Sequence, residues 1–440
     1  MKKKIFLLLF AAVFFTAVAG AQDVGLELSF AYPLMFSEGT DLNYLKIGLN
    51  GPELNASENE RPPVNAAIVL DVSGSMSGDK LKQAVLAAHT AIDMLKNGDV
   101  VAVITYSDYA QVLVPAAALT SRNRTAFHNA LDRVYADGYT ALFSGVSMGA
   151  NELDNYLDEK RVSRVILLSD GLANVGPSTP GELGNLGKIL KKRGISVSTI
   201  GLGADYNDAL MFELAARSDG NHAFVEHPSE LVSIFEKEFE TLLRVVARDF
   251  EIRIRFGEGV TPLNILNRTG EIYNGEVVLT LNQLYSLQEQ YVIIECETES
   301  GAVGTELQGA SVTVSYLNLI SGKKDTLKQS ASIRFVNDSE EVARARDVDT
   351  LRDVVLQTAT ATNMRAVELR DQGKVDEAKN LLNLNSEYLE NNALDLEDEK
   401  LKGYAKQNRE EAELLDEEDW NKQRKIMRDS QFENQMQQQY

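Results

Sequence analysis

The arrangement of apolar and polar positions changes character several times along this chain. Near the start, "VGLELSF" and "NYLKIGL" alternate apolar and polar side chains, the period of a half-buried strand. "NASENERPP" (55–63) then reads as a polar linker. From Val64 the pattern becomes continuous Val, Ile, Leu and Ala runs at 66–70, 100–106, 162–169 and 196–202, with a shorter run at 222–225. Helical periodicity fills the segments around 80–95, 121–134, 141–158, 181–193, 207–217 and 229–243, with Ser121 and Ser229 where caps belong. Continuous apolar strands alternating with helices predict an α/β unit over 63–243, a doubly wound, mostly parallel sheet covered on both faces.

After residue 245 the period returns to two. "FEIRIRF" sets Phe250, Ile252, Ile254 and Phe256 on one face and Glu251, Arg253 and Arg255 on the other. Similar runs continue to Val336, so 244–338 is expected to form an antiparallel β-sandwich. Two strands before residue 50 are too few for a stable sheet of their own. Residues 22–62 are therefore expected to join the sandwich, which makes the α/β unit an insertion. A helical hairpin broken at Gly373 is expected over 339–393. It resembles a single tetratricopeptide unit, but one unit does not make a solenoid. The acidic, glutamine-rich tail, 394–440, shows no sustained heptad and is expected to be a solvated, partly helical or disordered end, with docking on a partner or a carboxylate occluding the chain's own binding site as alternatives.

Length and composition narrow the function classes. The 440 residues exceed one ordinary domain, and 44% hydrophobic with 25% charged residues is a globular balance. A net charge of −21 lacks the basic footprint that nucleic acid or an anionic membrane surface requires. Three lysines precede an apolar run at 5–18 and then small residues at Ala17, Ala19 and Ala21. This predicts a cleaved signal peptide over 1–21 and no transmembrane segment in the mature chain. The expected destination is the periplasm, the cell envelope or the medium. The single cysteine, Cys296, falls on the apolar face of its strand and is expected to be a buried thiol.

Candidate chemistry concentrates in "AAIVLDVSGSMSGDK" (66–80), where an apolar strand ends in one carboxylate and a serine-glycine turn. Asp71, Ser73 and Ser75 alternate, so one loop can turn three oxygen side chains toward a point, and Gly74 and Gly78 permit the tight backbone. A hard cation such as Mg²⁺ prefers oxygen ligands. Thr140, in "DGYTALFSG", and Asp170, ending the strand of "VILLSDGLANVG", occupy equivalent strand-end or loop positions. Open α/β sheets bind ligands at that rim.

Together "PPVNAAIVLDVSGSMSGDKL", "YADGYTALFSGV", "ILLSDGLANVG" and "VSTIGLG" resemble the von Willebrand factor type A domain, of the bacterial secreted type, over roughly 64–243. The overall layout is also similar to inter-alpha-trypsin inhibitor heavy chains and calcium-activated chloride-channel regulators. The resemblance implies a metal-ion-dependent adhesion site holding Mg²⁺, with Mn²⁺ or Ca²⁺ as alternatives. It implies that Ser73 and Ser75 bind the ion directly and that Thr140 does so directly or through water. Asp170 would act through water, while Asp71 would orient the serines and hold waters. A partner protein's Asp or Glu would complete the coordination. Tyr139 stands where the family often has a second glycine, either narrowing the rim or capping the loop. Asn174 is expected to shape its loop without binding metal.

Two other classes compete with adhesion. A structural scaffold with a non-functional metal site is one. A hydrolase is the other, but its G-x-S-x-G elbow is absent, since 74–78 reads G-S-M-S-G. Histidines 89, 128, 222 and 227 fit neither a triad with Ser75 nor a zinc-hydrolase spacing.

Overall fold

The structure, a computed structural model, describes residues 23–38, 40–54, 61–415 and 420–438. The expected signal peptide and linker residues 55–60 lie outside the described residues. The chain opens with β1 (Gly25–Phe30), β2 (Leu34–Phe36) and β3 (Asp41–Asn50). The α/β unit follows as β4 (Val64–Asp71), α1 (Asp79–Met94), β5 (Val100–Tyr106), β6 (Ala110–Ala118), α2 (Arg124–Leu131) and α3 (Leu142–Leu153). It continues through β7 (Val162–Ser169), α4 (Pro180–Lys192), β8 (Ile195–Leu202), α5 (Asp208–Ser218), β9 (His222–Val225) and α6 (Leu231–Leu243).

Its sheet runs β6-β5-β4-β7-β8-β9, with every pairing parallel except β5 with β6. Strands β4, β5, β7 and β8 are buried along their whole length, as expected for a sheet with helices on both faces. Ile68, Leu70, Val101 and Val103 pack toward α1 and α6, while Ala67, Val69, Ala102 and Ile104 pack toward α3, α4 and α5. Strand β6 was not expected from the sequence. It is a half-buried antiparallel edge containing Pro115, which only a sheet edge tolerates. The two expected caps are also corrected. Asn123, not Ser121, precedes α2, and Ser229 lies inside a 3₁₀ turn (Pro228–Glu230) that leads into α6.

Seven strands follow: β10 (Val245–Phe256), β11 (Val260–Ile265), β12 (Gly270–Tyr273), β13 (Glu276–Tyr285), β14 (Glu289–Thr298), β15 (Glu306–Asn318) and β16 (Lys323–Val336). They form a sandwich of two sheets, β1-β3-β14-β11 and β12-β13-β10-β15-β16-β2. Strands β3 and β14 pair along their full length, from Asp41 with Thr298 to Asn50 with Glu289, so the first strands belong to the sandwich and the α/β unit is inserted between β3 and β10. The shared core includes Leu45, Ile47, Ile252, Ile254, Val312 and the buried free thiol of Cys296.

Arg164 bolts the two units together. It is fully buried on β7 and donates to Glu238 on α6 at 2.7 Å, and across the junction to Gln283 and to the Tyr285 hydroxyl of β13 at 2.8 Å.

The C-terminal region forms α7 (Ser339–Ala345), α8 (Val348–Asp371), α9 (Val375–Asp395), α10 (Glu399–Leu414) and α11 (Trp420–Met436). Gly373, at φ 80°, makes the turn between α8 and α9. The expectation of a solvated tail is corrected here: α9 continues past 393, and α10 and α11 bury Leu401, Ala405, Met427 and Phe432. Helix α11 lies along β9, the last strand of the inserted sheet. Its Asp429 and the following Gln438 accept hydrogen bonds from the Phe224 and His222 amides, at 3.0 and 2.9 Å. Phe432 meets the Phe212 ring edge-on at 5.2 Å. A sheet edge that would otherwise present unpaired backbone groups is thereby covered.

Candidate metal centre

The five expected residues meet at the carboxyl ends of β4 and β7 and in the loop before α3. Asp71, the last residue of β4, is fully buried. Its Oδ1 accepts the Ser73 amide at 2.8 Å and its Oδ2 accepts the Ser169 hydroxyl at 2.9 Å. Ser73 Oγ and Ser75 Oγ lie 3.1 Å apart, and the Ser75 hydroxyl donates to Asp170 Oδ1 at 2.6 Å. A Cβ placed on Gly171 would lie 3.4 Å from Ser75 Oγ and 3.5 Å from Thr140 Oγ1, so those hydroxyls face one small space that glycine leaves open.

Backbone contacts hold the loops in this arrangement. The Gly74 amide donates to the Gly138 carbonyl at 3.0 Å, and the Asp137 amide donates to the Val72 carbonyl at 2.8 Å. Gly138 sits at φ 82°, in the left-handed region where glycine carries no penalty. Asn174 Oδ1 accepts the Thr140 amide at 2.8 Å and so fixes the loop that carries the threonine. Tyr139 is 66% exposed and stands on the rim of an open cavity of about 560 Å³.

Two buried carboxylates dominate the electrostatics of the rim. Burial pushes the Asp71 carboxyl up to about 6; the hydrogen bonds from Ser73 and Ser169 oppose this, and the nearby Asp170 charge adds to it. A nearby cation offsets the charge of two carboxylates buried on one rim. Lys80, in the first turn of α1, supplies one, its ammonium 2.6 Å from Asp170 Oδ2. Sequence reasoning missed Lys80 and Ser169, although both lie within nine residues of the motif's carboxylates. It also missed Asn421, Arg424 and Lys425 of α11, which line the same cavity. No local signal could have brought a helix some 250 residues away to this rim.

The donor set fits a hard divalent ion. All of its atoms are oxygens, and a 3.1 Å separation between two hydroxyls is close to the edge of about 2.9 Å in an octahedron with 2.0–2.1 Å bonds. Among the described residues, no group of three or more His, Cys, Asp or Glu side chains is arranged to hold an ion, so this centre depends on its hydroxyls.

The sequence profile of the von Willebrand factor type A domain matches residues 65–237. Over those residues the chain carries a von Willebrand factor type A domain. The uncharacterised protein sll0103 of Synechocystis is 32% identical over 185 residues, which is 42% of this chain and 43% of that one. The uncharacterised protein YfbK of Escherichia coli is 26% identical over 45% of this chain and 34% of its own length. Human inter-alpha-trypsin inhibitor heavy chain H4 is 27% identical over 56% of this chain and 28% of its own. The chain thus spans less than half the length of these curated relatives. Among solved structures, a von Willebrand factor type A protein from Catenulispora acidiphila superposes over 92% of this chain and 91% of that one, with a TM-score of 0.71 and 18% identity. The likeness therefore extends to the sandwich and helices around the A domain, as a likeness of fold.

Proposed function

We propose that this A domain is a metal-dependent protein-binding module that acts in adhesion or assembly after export. A divalent ion, Mg²⁺ by preference and Mn²⁺ or Ca²⁺ as alternatives, is held by Ser73, Ser75 and Thr140, with Asp71 and Asp170 orienting the hydroxyls and bound waters. When bound, the ion supplies an electron-poor centre that accepts a carboxylate oxygen from a partner's Asp or Glu. The observation that carries this reading is the convergence of Ser73, Ser75, Thr140 and Asp170 at one open cavity. Asp71 does not line that cavity, and its two oxygens accept from Ser73 and Ser169. Its work is therefore orientation and charge.

Arg424 and Lys425 line the same cavity beside Asp208, which brings positive charge near an acidic visitor. Among the described residues, no carboxylate of the tail lines this cavity. The ion pair between Lys80 and Asp170 favours the second reading, a structural scaffold in which lysine has taken the place of metal. A catalytic role finds no support in the histidines: His89 and His128 lie on α1 and α2, His222 is buried under α11, and His227 follows β9 in an exposed turn.

Pull-down from envelope fractions with the full chain tests the proposal. Partners retained in Mg²⁺ should be released by chelator and lost with Asp71→Ala. Retention that ignores both chelator and the substitution would favour the scaffold.

A further inference from the structure

Away from the metal centre, two helices repeat one pattern. "HTAID" on α1 and "HNALD" at the end of α2 each place a histidine four residues before an aspartate. That spacing sets both side chains on one helical face. The two faces meet crosswise: His89 Nε2 lies 3.1 Å from Asp132 Oδ1, and His128 Nε2 lies 3.1 Å from Asp93 Oδ1. The imidazoles stack with centroids 4.8 Å apart, and their Nδ1 atoms face each other at 2.6 Å. Arg124 is a further charge at the cluster, with Nη1 3.9 Å from Asp93.

Hydrogen-bond bookkeeping makes this arrangement informative. An imidazole nitrogen beside a carboxylate carries the hydrogen, so both Nε2 atoms are donors. In neutral rings each Nδ1 is then a lone pair, and two lone pairs cannot face each other at 2.6 Å without something positive between them. We propose that His89 and His128 form a second metal site, in which a borderline divalent ion such as Zn²⁺ binds both Nδ1 atoms. Asp93 and Asp132 act as positioning residues that hold the tautomer and ring orientation, the role carboxylates have on zinc-bound imidazoles. Imidazole suits Zn²⁺, whereas Mg²⁺ prefers oxygen, so the two centres select different ions. With Zn–N bonds of about 2.0–2.1 Å, tetrahedral ligands stand about 3.4 Å apart, so the rings need to open by less than about 1 Å. The histidine side chains are 20% and 25% exposed, which gives water access to the remaining coordination positions. Helix α1 continues from the Ser73–Ser75 loop and α2 leads into the loop of Thr140, so an ion here clasps the two segments that feed the adhesion site.

The test is a Zn²⁺ titration by calorimetry, in excess Mg²⁺, on the full chain carrying Asp71→Ala. This background disables the first centre, so the outcome does not depend on the proposed adhesion function. The expected result is one equivalent of bound Zn²⁺. His89→Gln or His128→Gln should weaken it at least a hundredfold, Asp93→Asn should weaken it about tenfold, and His227→Gln should leave it unchanged. Circular dichroism confirms that each variant folds, and Zn²⁺ should raise the unfolding temperature of the parent but not of His128→Gln. Absence of Zn²⁺ binding, or binding that survives His128→Gln, overturns the proposal.

Discussion

Replacing Asp71 by alanine should affect stability differently with and without metal, and the structure supplies the magnitudes. Without metal, the substitution strands two buried donors, the Ser73 amide at 2.8 Å and the Ser169 hydroxyl at 2.9 Å. Leaving each unpaired costs about 1–3 kcal/mol. Against that, burial raises the carboxyl from 3.8 to about 6, so the folded state holds its proton more tightly than the unfolded chain does. For an acid shifted upward, the penalty is absent below its unfolded pKa and complete above the folded one; two pH units amount to about 3 kcal/mol. At pH 7.5 the two terms oppose each other at similar size. The alanine variant in chelator should therefore lie within about 2 kcal/mol of wild type. Metal breaks this near-balance. An ion at a hundred times its dissociation constant stabilises wild type by about 2.7 kcal/mol and leaves the variant unchanged. For a domain of this size that is a rise of roughly 5–10 °C in Tm. Thermal unfolding of both proteins in chelator and in Mg²⁺, with calorimetric titration of Mg²⁺, measures it. Asn174→Ala, which loses only a loop contact, should keep most of the affinity. Equal Mg²⁺ shifts in wild type and Asp71→Ala, or no shift in either, would refute the assignment.

Three further expectations follow from other parts of the molecule. Burial, reinforced by Glu433, lifts Asp429 from 3.8 to about 7, so its ionisation erodes stability as pH rises through that window. Asp429→Asn keeps an acceptor for Phe224. In urea unfolding it should match wild type near pH 4 and exceed it by a few kcal/mol at pH 8; a difference independent of pH would contradict this. Arg164→Met should cost about 3–5 kcal/mol by leaving the Glu238 carboxylate buried without its cation, and limited proteolysis should then separate the A domain from the sandwich. Intact-mass measurement of the native protein should show the loss of about twenty residues from the N-terminus; a full-length mass in a soluble cytoplasmic fraction would end the export reading.

Local rules made much of the A domain legible. Buried parallel strands must be apolar on both faces, so β4, β5, β7 and β8 stand out as continuous runs. The serine-glycine turn after Asp71, the loop of Thr140 and the strand end at Asp170 each carry their own local signature. The sandwich was readable for a related reason, since period-two alternation survives wherever one face meets a core.

Other features lay beyond sequence reasoning because their meaning depends on distant partners. Strand β6 is half-buried and contains a proline, and only its place at a sheet edge makes it a strand. Helices α10 and α11 hid because part of what they bury, against each other and against α8 and α9, is polar. Asn363 donates to Asn408 and Glu411, Asn385 donates to Asn408, and Gln431 donates to Asn363, a network without an apolar stripe. Such residues look solvated until their partners are known. For the same reason nothing in "WNKQRKIMRDSQFE" announces that it covers β9 and carries Arg424 and Lys425 to the rim of the proposed metal centre. Chain chemistry alone determined which oxygens could hold an ion. Tertiary packing decided what surrounds them, because burial and long-range pairing set the charge and shape of the cavity.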